Sequence, residues 1–333
     1  MIRETIILIL LPFMISCAGE QVVVPGKAAK KVPFNAWVEK IYYDSEKKIL
    51  QEEVSRLGED WHGPSRKYYK SGQLKTASNF NMNQLDGAVK NYYENGVLAS
   101  EETYSSGKLN GMAVHYCRNG KILTKYNYQM GLIEGRSETY SGQCNGILEE
   151  IALYRNGEMN GKKITHFPDG KIKKTTTYLN GQKQGPYVSY FDDGTPEEKG
   201  TYKNGEKDGL WTSFFIEGGI QSQENYRNGK HDGLIRLYYP TAKLREEINY
   251  KMGVKNGPSK VYYKNGNLKM ETNYENGLIN GIRKKYAGSG YLAVEETYSN
   301  NLLNGPARRY NRSGRVIKVV NYRNGELVTK SNR

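Results

Sequence analysis

The residues with the widest chemical range in this chain are its histidines, and their spacing predicts no catalytic or metal site. His62, His115, His166 and His231 lie far apart in the sequence. Zinc sites take ligands from short paired spacings, which these four residues do not have. We interpret each histidine as a solvent-facing substitution and predict no metal and no cofactor.

Serine and glycine motifs give the same result. The stretch around Ser289 lacks the Lys-Ser/Thr pair of a phosphate-binding loop. A Ser-His-Asp triad is defined by geometry in space, so the sequence alone leaves it open. Because no motif indicates a reaction, we predict a protein that is not an enzyme and has no catalytic residues.

Cys17 lies in a sequence context that points to modification. Residues 6–16 are almost entirely apolar, Arg3 precedes them, and Met14-Ile15-Ser16-Cys17 resembles a bacterial lipobox. An apolar run of this length is shorter than the roughly 20 residues that span a bilayer and suits a signal peptide. We predict a signal peptide over 1–16, lipidation of Cys17 and a tether over 17–36. A conventional cleaved signal peptide and an atypical anchor are the alternatives.

Lipidation would determine where the protein lies. Several acyl chains on Cys17 would make a stable membrane anchor, since one chain binds only marginally. We therefore expect an anchored protein of the bacterial cell envelope. Because Ala18 follows the cysteine, we expect the outer membrane if the cell is Gram-negative. Export also argues against a nucleic-acid partner.

The organisation of the chain is set by a glycine that recurs mostly every 24 residues. Such self-similarity is the mark of a repeat array. An aromatic residue follows each of these glycines by about 17 positions, and an aromatic pair often lies five and six positions after it. The recurring glycines are Gly63, Gly87, Gly111, Gly135, Gly161, Gly185, Gly209, Gly233, Gly257, Gly281 and Gly305.

Each unit is predicted to be one β-hairpin. Asn-Gly between two β-prone segments is the strongest short-range hairpin signal, because a type I′ turn needs positive φ at both central residues. The chain has 15 Asn-Gly pairs. We predict an all-β fold in which about eleven 24-residue hairpins form an elongated, twisted, mostly single-layer antiparallel sheet over 63–328. Residues 37–62 would form a degenerate capping repeat, and 329–333 a tail.

The pairing of the strands follows if both turns of a unit have two-residue loops. Tyr263 would then lie opposite Leu268, and Tyr274 opposite Ile279. Since side chains alternate between faces, Tyr263, Leu268 and Tyr274 would share one face and Tyr262 would lie on the other.

Three departures from the pattern carry further predictions. The unit from Gly135 has two extra residues around Ser141 to Gly146, which predicts a bulge or wider loop and a local bend. Ala242 takes a turn-glycine position, so that turn should differ in type. Cys117 and Cys144 would lie about 9–10 Å apart with one strand between them, which predicts free or buried thiols.

The periodic residues resemble MORN repeats, in particular the bacterial MORN variants that include YwqK-type antitoxins. The resemblance rests on Tyr92-Tyr93-Glu94-Asn95-Gly96-Val97-Leu98 and on Tyr262-Tyr263-Lys264-Asn265-Gly266-Asn267-Leu268. It implies protein-binding scaffolds, phospholipid-contacting modules or a partner toxin as functions.

Charge is concentrated at the C-terminal end. The net charge is +14, and residues 281–333 hold eleven Lys and Arg against three Glu. A basic end attracts anionic lipid or acidic protein, although such residues also protect a sheet edge from pairing. The candidate anionic-ligand residues are Arg283, Lys284, Lys285, Arg308, Arg309 and Arg312.

These observations predict a lipid-anchored, monomeric scaffold that binds an unknown protein through its tyrosine-bearing face. Tyr238, Tyr262 and Tyr286 are the candidate partner-binding residues, taken as exposed. The first alternative is binding to anionic phospholipid, or membrane tethering, through the basic C-terminal units. The second is an antitoxin that sequesters a toxin.

Overall fold

The protein forms one open antiparallel β-sheet. A computed structural model describes residues 36–328, and within that range there is no helix. The longer strands pair antiparallel in chain order, from Ala36–Tyr42 with Leu50–Leu57 at one end to Leu302–Tyr310 with Val316–Arg323 at the other. The first and last strands do not pair with each other, so the sheet does not close. The prediction of an all-β hairpin array is confirmed.

The strands fall into long and short members. Several strands that enter a new unit are divided into a two-residue piece and a longer piece that pair with the same neighbour, as Gln84–Leu85 and Gly87–Tyr92 both pair with Leu74–Asn81. The first half of the chain contains β1 (Ala36–Tyr42), β2 (Leu50–Leu57), β3 (Asp60–Tyr68), β4 (Leu74–Asn81), β5 (Gln84–Leu85), β6 (Gly87–Tyr92), β7 (Leu98–Ser105), β8 (Lys108–Tyr116), β9 (Ile122–Gln129), β10 (Leu132–Ile133), β11 (Gly135–Tyr140), β12 (Leu148–Arg155), β13 (Glu158–His166), β14 (Ile172–Leu179) and β15 (Gln182–Tyr190). The second half contains β16 (Pro196–Lys203), β17 (Glu206–Phe214), β18 (Ile220–Arg227), β19 (Lys230–His231), β20 (Gly233–Tyr238), β21 (Leu244–Lys251), β22 (Val254–Tyr262), β23 (Leu268–Glu275), β24 (Leu278–Ile279), β25 (Gly281–Tyr286), β26 (Leu292–Ser299), β27 (Leu302–Tyr310), β28 (Val316–Arg323) and β29 (Glu326–Leu327).

The turn between units is the predicted two-residue loop. Asn276 and Gly277 both have positive φ, 51° and 85°, as a type I′ turn requires. Glu275 therefore pairs with Leu278, and Tyr274 pairs with Ile279. This part of the predicted register is confirmed.

The turn within a unit has a different form. Only Gly266 has positive φ there, while the Tyr263 N–H donates to the Asn267 carbonyl at 2.8 Å. This is a three-residue loop in which a type I turn is followed by a left-handed glycine. The register shifts by one residue, so Leu268 lies opposite Tyr262. The prediction that Leu268 pairs with Tyr263, and shares a face with it, was wrong because Asn-Gly suits both turn types.

The glycine that opens each unit lies in a bulge. Near Gly257, Asn249 alone faces the three residues between Lys255 and Ser259. The Asn249 Nδ2 donates to the Pro258 carbonyl at 2.7 Å, so the carbonyl freed by the bulge has a partner. At the equivalent Gly161, φ is 121° and an added Cβ would lie 2.9 Å from Leu153 Cδ1. The glycine therefore recurs with the unit because the backbone of the bulge favours a residue without a side chain.

The core is a column of side chains on one face. Counting the glycine that opens a unit as position one, we call the face with the tyrosines of the eighteenth position, such as Tyr226, the inner face, and the opposite face the outer face. On the inner face, the third residue of a unit is often buried and pairs with the sixteenth, as Ser259 does with Thr272. The side chain at this position ranges from Ser65 to Trp211, each 2% exposed. A thin sheet thus obtains burial mainly on its inner face.

Ala242 adopts the glycine conformation. Its φ is 61°, and its N–H donates to the Tyr239 carbonyl at 2.9 Å. The Tyr239 N–H donates to the Lys243 carbonyl at 2.8 Å. The turn has the same hydrogen bonds as its counterparts in other units. The prediction of a different turn type was wrong, because the backbone contacts hold an alanine in the left-handed region.

The long unit contains the predicted wider loop and a disulfide. The Ser141 N–H donates to the Ile147 carbonyl at 2.8 Å, two residues further on than in other units. Cys117 and Cys144 form a disulfide with Cα atoms 5.9 Å apart. The prediction of free thiols was wrong, because the wider loop brings Cys144 beside the preceding turn, where Asn119 Nδ2 donates to the Cys144 carbonyl at 2.8 Å. The predicted local bend stays a prediction.

Several sequence predictions fall outside the described residues. The signal peptide, Cys17 and almost all of the tether precede residue 36, and the tail follows residue 328. In the described part, β1 and β2 form a hairpin at one end of the sheet. Over 36–328, no helix has the length and apolar character needed to cross a membrane.

Candidate binding surface

A row of alternating charges runs across the outer face of the C-terminal units. Basic residues come from the fourth position of a unit and acidic residues from the fifteenth, and each pairs across strands with the next. We call this row the charge ladder. Its members are Arg236, Glu247, Lys260, Glu271, Lys284, Glu295 and Arg308.

The ladder is largely self-neutralising. Arg236 Nε lies 3.1 Å from Glu247, and Arg308 Nη1 lies 2.8 Å from Glu295. The Lys260 to Glu271 distance is 3.7 Å. Since exposed pairs of this kind contribute only about 0.2–1 kcal/mol each, the ladder gives the surface a defined charge pattern more than it stabilises the sheet.

The three candidate tyrosines lie along this ladder. Tyr262 OH donates to Glu247 at 3.2 Å, and Tyr286 OH donates to Glu271 at 3.0 Å. Tyr238 OH donates to Gln223 at 3.0 Å in the same arrangement. All three rings are half-buried, so the description of them as exposed was wrong. Burial, with the hydrogen bond to Glu271, raises the pKa of Tyr286 to about 12.

The second tyrosine of each pair ties one unit to the next. Tyr239 OH donates to the Tyr262 carbonyl at 2.9 Å, and Tyr263 OH donates to the Tyr286 carbonyl at 2.8 Å. The first tyrosine of the pair therefore reaches back across the sheet, whereas the second reaches forward. The aromatic pair in the sequence was the signal for both contacts.

The predicted basic residues do not form one patch. Arg283 and Lys285 lie on the inner face, with nitrogen atoms 3.0 and 3.2 Å from Glu296. Burial alone would raise the pKa of Glu296, but hydrogen bonds from Arg283 and Lys285 hold it below its ordinary value. Lys284 and Arg308 belong to the ladder on the outer face. Strand alternation thus divides the basic residues.

Three of the six basic residues, Lys284, Arg309 and Arg312, are without an ion pair in the part of the chain that the structure describes. Arg309 and Arg312 are exposed. Arg309 lies directly opposite Lys318 on β28 and opposite Val294 on its other side. Like charges in direct opposition are unfavourable. The last hairpin therefore carries unbalanced positive charge.

An aromatic cluster on the inner face was not predicted. The Trp211 ring is 5.2 Å from Tyr187 and 5.0 Å from Tyr202 between centroids, and Lys207 Nζ lies 3.9 Å from its centre. A Cβ on Gly200 would lie 2.2 Å from this ring. A tryptophan opposite an isolated glycine was the sequence signal. The cluster consists of Tyr187, Tyr202, Trp211, Tyr226, His231 and Tyr250.

The histidines are half-buried, so their interpretation as solvent-facing was wrong in part. His231 Nε2 lies 2.8 Å from Glu224 in the aromatic cluster. Burial would raise the pKa of Glu224, but hydrogen bonds from Tyr226, Ser222 and His231 lower it overall. The Nδ1 atoms of His62 and His166 are buried and have no hydrogen-bond partner among the described residues. Within 36–328, no three His, Cys, Asp or Glu side chains come together as metal ligands do.

The fold and its repeated contacts define a β-hairpin repeat protein. The sequence profile described as "MORN repeat variant" matches residues 61–82, 85–106, 183–204 and 255–276. These matches support a protein built from MORN repeats, and at that level the resemblance is confirmed. The likeness to YwqK-type antitoxins stays a prediction. No curated protein matches the sequence.

The similarity of this chain to solved structures is too weak to indicate a function. The chain is similar to the Tc holotoxin pore of Photorhabdus luminescens, in a mutant form of TccC3, at 10% identity, with 87% of this chain and 17% of that chain covered and a TM-score of 0.19. It is also similar to TcdB2-TccC3-TEV at 12% identity, with 86% and 18% covered and a TM-score of 0.17. The chain spans less than a fifth of the length of either, and the scores are too low to carry a conclusion.

Proposed function

We propose that this protein is a non-enzymatic scaffold that binds a protein partner along the outer face, at the charge ladder and the tyrosines Tyr238, Tyr262 and Tyr286. The observation that carries the proposal is that these tyrosines, equivalent in three successive units, lie along one continuous charge ladder. Every second strand brings the same half-buried ring to the same face, at intervals of about 10 Å. A repeated and charge-patterned surface suits recognition of another protein.

The character of the surface supports this choice. Tyrosine is enriched at the energetic centres of protein interfaces, because its ring supplies contact area and its hydroxyl stays hydrogen-bonded. Here each hydroxyl already has a fixed acceptor, such as Glu247 for Tyr262. The rings are therefore held in place before a partner arrives, which lowers the entropic cost of binding.

An anionic lipid surface is less well supported. Arg283, Lys285 and Arg308 are engaged by Glu296 and Glu295, and they lie on opposite faces. A membrane meets one face of a protein at a time, so the divided basic residues would not act together. We propose a protein partner for this reason.

The remaining parts of the proposal concern residues outside the described range. We propose that acylation of Cys17 anchors the scaffold in the bacterial envelope, and that the partner is presented there. An antitoxin role is the special case in which the partner is a toxin.

Site-specific photocrosslinking tests the proposed face. A photoreactive residue at position 284 faces outward and one at position 285 faces inward, so the two variants differ by one residue and sample opposite faces. Both carry the label in full-length protein within envelope membranes. We expect a discrete protein crosslink from position 284 and little from position 285.

Two triple variants test whether the three tyrosines are needed for binding. The triple change Tyr238→Ala, Tyr262→Ala and Tyr286→Ala should abolish the crosslink. Tyr92, Tyr116 and Tyr140 hold the same position in N-terminal units, so their replacement by Ala should weaken the sheet similarly and leave the crosslink in place. Equal crosslinking from both faces, or equal loss in both triple variants, would contradict the proposed surface.

A further inference from the structure

The two terminal strands have the geometry of neighbouring strands in the interior of the sheet. Inside the array, the second strand of one unit pairs with the first strand of the next, as Glu271 on β23 pairs with Lys284 on β25. At the ends of the described sheet, β1 is a first strand and β28 is a second strand. Each pairs along only one full edge within 36–328.

The equivalence of β1 to a first strand is seen in its register. Its pairing with β2 shifts by one residue between Ile41 and Tyr42, as the pairing of β22 with β23 shifts between Val261 and Tyr262. Tyr43 OH donates to the Tyr68 carbonyl at 2.8 Å, which is the contact that Tyr263 makes with the following unit. β1 therefore presents the edge that an interior first strand offers to the unit before it.

The equivalence of β28 to a second strand is as clear. Val316 pairs with Tyr310 across a one-residue shift, and Tyr322 pairs with Gly305, as in the interior hairpins. Within 36–328, its outer edge meets the two-residue β29, which pairs with Tyr322 and Arg323, and Val328, whose N–H donates to the Asn321 carbonyl at 2.8 Å. Lys318 and Val319 are equivalent to Met270 and Glu271. In the interior of the sheet, Met270 and Glu271 pair with the next strand, β25. Within the described range those positions have no strand beside them.

The two ends are also complementary in charge. Residues 36–62 contain seven Asp and Glu against four Lys and Arg, whereas residues 305–328 contain six Lys and Arg against one Glu. Both terminal strands expose apolar side chains, with Val38 at 55%, Val319 at 52% and Ile317 at 63%. An exposed edge with apolar side chains is a template for strand pairing.

We propose that two copies of this chain join head to tail, with β1 of one copy adding to the outer edge of β28 of the other. The interior register then places Val319 opposite Lys40 of the second copy and Lys318 opposite its Ile41. Lys318 and Arg309, which oppose each other in one copy, would lie near the acidic first hairpin of the next. This differs from the expectation of a monomer.

The geometry of this contact determines the form of the assembly. A head-to-tail interface uses two different surfaces, so each added copy leaves a new free end. Unless a rotation closes the ring, the product is an open chain of copies in which one sheet continues from protein to protein. The repeat supplies the complementarity, since each unit already docks on the one before it.

Cysteine crosslinking tests the register. The full chain carries Cys17→Ser so that Cys17 cannot take part in the crosslink, and two variants are mixed, one with Val319→Cys and one with Lys40→Cys. We expect a crosslinked pair of unlike copies under mild oxidation. The matched control replaces Lys40→Cys by Ile41→Cys, which lies one residue away on the other face, and should crosslink about tenfold less.

Sedimentation at several protein and salt concentrations gives the second measurement. We expect a species heavier than one copy at low salt that declines at high salt, because charge attraction between exposed groups is screened. A chain lacking residues 329–333 should associate as well as the full chain. The proposal is overturned by a single-copy mass at every concentration, by equal crosslinking in both registers, or by association only after those five residues are removed, which would assign the edge to the chain's own end.

Discussion

The unit that begins at Gly209 and the unit that begins at Gly257 share a backbone but are held together differently. The first buries Trp211 at its third position, whereas the second buries Ser259. Conversely, Tyr262 and Tyr263 of the second unit are hydrogen-bonded to neighbouring units, whereas the first unit has Phe214 and Phe215 there. The array therefore tolerates either apolar packing on the inner face or tyrosine hydrogen bonds at the outer face and turns.

The two units share their backbone features and differ in their buried side chains. The turn glycines, the bulge and the tyrosine of the eighteenth position occur in both units, while the third position varies widely. In a repeat protein each unit contacts chiefly its neighbours, so a change in one core should stay local.

Removal of Trp211 should have the largest effect. Trp211→Ala should cost about 3–5 kcal/mol, because burying this ring accounts for most of the apolar packing near it. Ser259→Ala, at the same position of the other unit, should cost about 1 kcal/mol or less. Urea unfolding measures the totals, and hydrogen exchange should show lost protection in β15 to β20 while β25 to β28 stay protected.

Gly200 supplies the control for this prediction. A methyl group at Gly200 would collide with the Trp211 ring, so Gly200→Ala should be destabilising in the natural chain. The same substitution should cost much less when Trp211→Ala is already present, since the collision is gone. Additive effects would show that the ring does not pack on Gly200 as described.

The bulge glycine should give the next largest effect, and it tests the repeated part of the unit. Gly161→Ala should cost about 2–4 kcal/mol, because it adds a collision with Leu153 to a left-handed backbone. Gly209 has φ of 72° and no atom within 4 Å of an added Cβ, so Gly209→Ala should cost only about 1–2 kcal/mol. Equal costs in urea unfolding would mean that packing around the bulge plays no part.

The hydrogen bond between Tyr286 and Glu271 on the outer face should be sensitive to alkali. Burial and the Glu271 hydrogen bond raise the pKa of Tyr286 to about 12, above the unfolded value of about 10. The folded state thus favours the neutral phenol, and the stability from this group is present below pH about 10 and is lost as pH rises toward 12. Phe214 has no proton to lose at the corresponding position.

A charge substitution sharpens this prediction. Glu271→Gln should lower the pKa of Tyr286 in an NMR titration of the ring carbons, because the carboxylate disfavours the phenolate. The pKa should stay above its ordinary value, since burial is the larger cause. Glu150→Gln, in a distant unit, is the control and should leave the Tyr286 titration unchanged.

The sequence predicted the hairpin array because turn chemistry is local. Asn276-Gly277 determines a two-residue loop, and the register of Tyr274 follows from it. Asn265-Gly266 has the same letters but forms a three-residue loop, in which Asn265 Oδ1 accepts from the Asn267 N–H at 3.0 Å. Dipeptide identity does not distinguish these two turns, so the position of Leu268 could not be predicted.

The candidate surface was partly readable from the same rules. Strand alternation alone places Lys284 and Lys285 on opposite faces, so the division of the basic residues was available in the sequence. The disulfide was not, because the path of the inserted loop that carries Cys144 depends on contacts between units. The burial of Tyr262 also depends on a neighbouring strand, through Glu247.

Substitution of Ala242 should have the smallest effect on stability. It tests directly whether backbone contacts hold the turn in its geometry. Its φ of 61° is unfavourable for a residue with a Cβ, yet its turn has the same hydrogen bonds as its glycine counterparts. Ala242→Gly removes that strain but increases the entropy of the unfolded chain, so the net gain should be about 0.5–1 kcal/mol. The reverse change at the equivalent Gly266, Gly266→Ala, should cost a similar amount in urea unfolding. If Ala242→Gly destabilised the protein, the turn would have to depend on the alanine side chain, and the backbone account of the repeat would fail at this position.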